Sequence, residues 1–179
     1  MSFKAKPRSI KDIREKAELI RTVTEMAMDT KTEQFPILHF AEIIIPQIAE
    51  DFTFVIGSKE EMGNNLGLTD IKEKTITIRE DVYEHAYNGN GRDLFTIAHE
   101  VGHVLLHSEQ NIQQLARTNK ETIKPYENPE WQADTFAAEL LMPASMITED
   151  DTVFTVARRF GVSYSAARIR LNKLGIINA

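Results

Sequence analysis

The sequence predicts an α+β fold, with mostly helices packed on a small antiparallel-rich sheet and a helix-turn-helix-like segment at the C-terminus. Three observations carry this. Residues 9–29, 94–107 and 129–143 repeat apolar side chains at helical spacing. Residues 52–56 (Phe-Thr-Phe-Val-Ile) and 75–79 (Thr-Ile-Thr-Ile-Arg) have the β-branched and aromatic make-up of strands. Residues 152–175 read as helix, glycine turn, helix.

Taken in order, Ser9 is a natural N-cap for a helix through Ile10, Ile13, Ala17, Ile20, Val23, Thr24 and Ala27. Pro36 suits the first turn of a second helix, through Ile37, Phe40, Ala41 and Ile44, weakening near Pro46. His39 on that helix is expected to pack rather than to ligate. The strand at 52–56 closes at Gly57-Ser58, and Met62–Leu68 is a turn into a short strand. The strict alternation of Thr75–Arg79 buries one face. An edge of such a sheet is also a place where a peptide can add as a further strand. Asp81–Tyr87 is helical, Asn88–Gly91 a turn, and Asp93 a candidate cap for the helix that follows. Residues 108–129 form a polar connection.

Composition bounds the class. With 179 residues, 42% hydrophobic and 27% charged, the chain can bury one core with a small appendage, which excludes a disordered tail as its main content. The absence of cysteine excludes disulfides and thiolate metal sites, and fits an intracellular compartment. No apolar run approaches a membrane span and no apolar segment follows the basic N-terminus, so a cytoplasmic protein without membrane contact is expected. Charge is uneven. Residues 152–179 hold Arg158, Arg159, Arg168, Arg170 and Lys173 and no acid, or +5; the total is −6, so residues 1–151 carry −11. A basic tail on an acidic body suits contact with DNA or a protein partner.

The chemistry lies in Leu94–His107, which contains His99-Glu-Val-Gly-His103. Residues four apart share a helix face, so His99 and His103 can offer two imidazole nitrogens to one metal ion. Glu100 flanks them, where a carboxylate can take a proton from metal-activated water. Gly102 costs about 1 kcal/mol relative to alanine inside a helix, which makes sense if another segment packs closely there. His107 extends the four-residue spacing but stands about 12 Å from His99 along the axis, too far to share a metal, and is read as structural. A catalytic zinc needs a third ligand, and Pro129–Pro143 supplies a second helix with Glu130 and Asp134 four apart. Glu130 is the candidate third ligand. Asp134 is placed to accept the outer N–H of a ligating histidine. Tyr126, just before that helix, is a candidate oxyanion donor, set against an ordinary surface tyrosine.

Thr96–His107, with Glu130-x-x-Ala-Asp-x-Phe-Ala-Ala-Glu-Leu-Leu-Met-Pro143, resembles the ImmA/IrrE family of bacterial and phage metallopeptidases. Lys74–Arg79 and Val82–Ala86 are similar to that family's approach to its active helix, and the likeness extends over roughly residues 35–179. The resemblance implies a zincin-like, gluzincin-type fold and, in some members, cleavage of a helix-turn-helix repressor. It also implies that the C-terminal helices pack on the peptidase core. The expectation is therefore a zinc-dependent endopeptidase with a Zn2+ cofactor and a regulatory protein, such as a transcriptional repressor, as substrate. Its metallopeptidase domain would span 1–150, with the basic segment 151–179 packed on it. The open alternative is a non-enzymatic DNA- or protein-binding regulator whose metal site is structural or vestigial.

Overall fold

The computed structural model describes residues 3–49, 51–107, 112–114 and 123–178. Helix α1 (Ile10–Ala27) begins with a capping box in which Ser9 and Asp12 satisfy each other's backbone N–H, and it buries Ile13 and Ala17. A second helical run comprises α2 (Ile37–His39), a π-helical stretch (Phe40–Ile44) and α3 (Ile45–Ile48). It does not weaken at Pro46. The wider turn, in which the Ile45 N–H donates to Phe40 O, takes up the bond and the space that a proline denies a regular helix.

Strands β2 (Thr53–Gly57), β3 (Gly67–Asp70) and β4 (Thr75–Arg79) form a sheet in the order β2-β4-β3. Helix α4 (Lys59–Met62), capped by Ser58, separates β2 from β3. The pairing is mixed: β3 runs antiparallel to β4, but β2 runs parallel to it. The mainly antiparallel sheet expected from sequence is thus corrected. Ile76 and Ile78 of β4 are fully buried, so β4 takes the centre and the chain reverses through α4 to place β2 and β3 on either side. A separate antiparallel ribbon joins β1 (Phe3–Ala5) to β5 (Ile112–Gln114); the rest of the expected polar connection, 108–111 and 115–122, lies outside the described residues.

Helix α5 (Glu80–Tyr87) leads into α6 (Gly91–Leu106), and α7 (Pro129–Leu141) packs across it. The cap of α6 is Asn90, whose side chain accepts from the N–H groups of Arg92 and Asp93. Asp93 lies one turn further in, buried and 3.2 Å from His85, and is not the cap expected of it.

Helices α8 (Val153–Phe160) and α9 (Tyr164–Lys173) place Val156, Phe160, Val162, Ala167 and Leu171 in the core. Ile169 is exposed. Arg170 takes the buried position instead, pairing in bidentate fashion with Glu139 of α7 at 2.9 and 2.6 Å. Arg14 of α1 reaches the same carboxylate at 3.1 Å. One buried acid therefore ties three helices together.

Glu139→Gln should leave Arg170 buried without its counter-charge and destabilise the fold by about 3–5 kcal/mol, read by denaturant unfolding. Burial alone would raise the Glu139 carboxyl, but Arg170 and Arg14 hold it below the ordinary carboxylate value. Its contribution is thus present above about pH 4.3 and lost as pH falls through the lower folded value. Wild type should lose stability across that acid range more steeply than Glu139→Gln.

Candidate metal centre

The site is built where α6 and α7 cross. A Cβ at Gly102 would stand 3.2 Å from both Cα and O of Ala133 and 3.3 Å from the Phe136 ring. The missing side chain lets the two backbones approach, and it faces α7 as the sequence reading of Gly102 requires. Across that contact α6 presents His99 and His103, and α7 presents Glu130 and Asp134. Asn128 caps α7 by accepting from the Glu130 N–H, with Pro129 in the first turn, so Glu130 is held at the helix's positive end.

Three donor groups converge there. His99 Nε2 and His103 Nε2 are 3.0 Å apart, and Glu130 lies 3.3 Å from the first through Oε2 and 3.6 Å from the second through Oε1. Tetrahedral zinc with N and O ligands at 2.0–2.1 Å separates neighbouring donors by about 3.3 Å. The three residues match that spacing without rearrangement and would hold such an ion, leaving a fourth position. His99 Nδ1 is 2.8 Å from Asp134 Oδ1, so the outer nitrogen donates and the inner one is the atom left to a cation.

The charges agree with this geometry. Burial alone would lower His99, but hydrogen bonds to Asp134 and Glu130, with Glu100 nearby, carry it up to about 10. The same two histidines hold the Glu130 carboxyl far below the usual range. Metal-free, the cluster stores a proton on His99 that a cation would replace.

Glu100 is buried beneath β3. The Thr69 hydroxyl stands 2.7 Å from Glu100 Oε2 and 3.1 Å from its backbone carbonyl. A Cβ at Gly67 would fall 2.7 Å from Glu100 Cγ and 2.8 Å from Oε1, so only glycine leaves room for this carboxylate. Sequence reading missed both residues, although a glycine within a strand is itself a sign of close approach. His107 is buried against the outer nitrogen of His103, Nδ1 to Nδ1 at 3.0 Å. Burial and the adjacent His103 push it down to about 4. Tyr126 sits in a 3₁₀ turn (Pro125–Glu127), exposed, with the Lys124 ammonium 5.7 Å from its ring centre.

The family model described as the IrrE N-terminal-like domain of the M78 peptidases matches residues 61–172, more than half of the chain. The chain belongs to the M78 peptidase family. The ImmA/IrrE resemblance of the two motif helices is thereby borne out. Both helices of the M78 site, and the β3–β4 hairpin over Glu100, fall inside the matched span; α1 to α3 and β2 precede it. No curated protein matches the chain. Among the described residues, no helix is long and apolar enough to cross a membrane.

Purified protein should carry about one zinc per chain, measured by metal analysis, and His103→Ala should carry none. Because His99 keeps its proton up to about pH 10 when metal-free, uptake at neutral pH must displace it. Zinc affinity in chelator competition should therefore rise with pH, about tenfold per unit for each proton displaced. Equal affinity at about pH 6 and 8 would contradict the ligand set.

Proposed function

We propose that the protein is a zinc-dependent endopeptidase acting on a regulatory protein, with a helix-turn-helix repressor as the substrate favoured by the family resemblance. The observation that carries this reading is the convergence of His99, His103 and Glu130 beside a separately held carboxylate, Glu100. Zinc, when bound, supplies Lewis-acid chemistry that makes water acidic enough to lose a proton near neutral pH. His99, His103 and Glu130 would hold it. Glu100 takes the proton and returns it to the leaving amine. Thr69 donates to Glu100 Oε2, which fixes the carboxylate plane and leaves Oε1 to hold and move that proton. Asp134 keeps the His99 lone pair directed inward.

A second reading, contact with DNA, is favoured by one face of the C-terminal helices. Phe154 and Tyr164 stack there, both exposed, with ring centres 6.4 Å apart. Arg158, Arg168 and Lys173 are exposed and form no ion pair among the described residues, whereas Arg159 and Arg170 are engaged by Asp151, Glu33 and Glu139. Three basic groups rather than five are then available for phosphates.

Glu100→Gln should keep zinc and fold but cleave a sensitive repressor about 100- to 10,000-fold more slowly, because the general base is gone. Thr69→Val should keep zinc and lose a smaller factor, about ten- to hundredfold, matching one hydrogen bond to a charged group. Cleavage undiminished in Glu100→Gln would refute the assignment of Glu100 as the general base. For the DNA reading, duplex affinity should fall with salt at a log–log slope of about −3, the value for three phosphates. No measurable duplex binding at low salt would remove that reading.

A further inference from the structure

Behind His103 stands a row of polar groups that metal ligation alone does not require. His103 Nδ1 is 3.0 Å from His107 Nδ1, and His107 Nε2 is 3.1 Å from Gln132 Oε1. His107 is 1% exposed and Gln132 0%, so neither group can turn to water instead. The amide nitrogen of Gln132 lies 2.9 Å from Lys6 O and 2.7 Å from Tyr126 O.

These contacts settle where each proton sits. A backbone carbonyl only accepts, so the Gln132 group between two carbonyls is its NH2, and Oε1 faces His107. Oε1 also only accepts, so His107 carries a proton on Nε2. An imidazolium buried between an amide and another imidazole would lack a counter-charge, so His107 is neutral and its Nδ1 is bare. His103 Nδ1 must then donate. That leaves the lone pair of His103 on Nε2, the atom facing His99 and Glu130.

We infer that His107 and Gln132 are positioning residues for the metal centre, and that they hold His103 in the tautomer whose Nε2 is free to bind a cation. The inference rests on the zinc reading above. The two ligating histidines are thus oriented differently, His99 by a carboxylate and His103 by a neutral imidazole–amide row. One of the row's two carbonyl anchors, Lys6, lies outside the matched family span, and the other, Tyr126, lies within it. The N-terminal segment braces that anchor: the Arg8 N–H donates to Tyr126 O at 2.9 Å, its guanidinium to Leu106 O at 3.3 Å, and Lys4 pairs with Glu127 at 2.7 Å. Residues 4–8 therefore serve the site without touching the ligands.

The test uses the full chain in His107→Phe and Gln132→Leu forms, with zinc affinity from chelator competition and imidazole tautomers from long-range proton–nitrogen NMR of metal-free protein. Wild-type His103 should show the Nδ1–H form. His107→Phe should shift it toward Nε2–H and weaken zinc about 10- to 100-fold, the usual cost of losing an outer partner of a ligand. Gln132→Leu, which frees His107 to move its own proton, should fall between wild type and His107→Phe. A wild-type His103 in the Nε2–H form would overturn the inference even if neither variant folds. Wild-type zinc affinity in folded His107→Phe would overturn it while leaving the zinc site standing. A wild-type protein that takes up no zinc would overturn both.

Discussion

The absence of one side chain, at Gly102, governs how closely α6 and α7 can pack. With a Cβ at that position only 3.2 Å from the Ala133 backbone, any larger residue must push the helices apart. The distances among His99, His103 and Glu130 are set across that same crossing. A separation of a few tenths of an ångström there passes directly into the donor–donor spacing that a tetrahedral cation requires. The conformational cost of glycine within a helix, about 1 kcal/mol, is offset by the geometry of the site rather than by any contact glycine makes itself.

Helix α7 is held at both ends. Its N-terminus is capped by Asn128 and carries Glu130, while nine residues on Glu139 is clamped by Arg170 and Arg14. At 1.5 Å rise per residue these anchor points lie about 13.5 Å apart. The buried ion cluster thus steadies the helix that carries the candidate ligand Glu130, although it lies away from the candidate site. Replacing such a cluster by apolar groups is often neutral for stability, and its contacts here join α7 to α1 and α9.

Each of these candidate site side chains has a partner that limits its freedom: Asp134 for His99, His107 for His103, Thr69 for Glu100. Such partners matter because a catalytic group must keep both its position and its protonation state while the substrate comes and goes. Two of the three lie on the site's own helices. The third comes from β3, which is how the small sheet bears on the site as well as on the core.

The candidate ligand pattern was legible in the sequence because helical periodicity is local: four residues always return to the same face, whatever surrounds them. His99, His103, Glu130 and Asp134 need nothing further to be placed in pairs, and Gly102 announces a close neighbour without naming it. Thr69 and Gly67 were not legible, since their role depends on how a strand more than thirty residues earlier lies over α6. The same holds for Gln132 and Lys6, 126 positions apart, and for Arg170, whose pairing with Glu139 spans 31 positions. The parallel pairing of β2 with β4 likewise had no turn to announce it, since α4 and β3 separate the two strands in the chain. Local spacing determined which residues could act together. Only the tertiary structure, through contacts whose partners are remote in the chain, decided how each is oriented and where its proton rests.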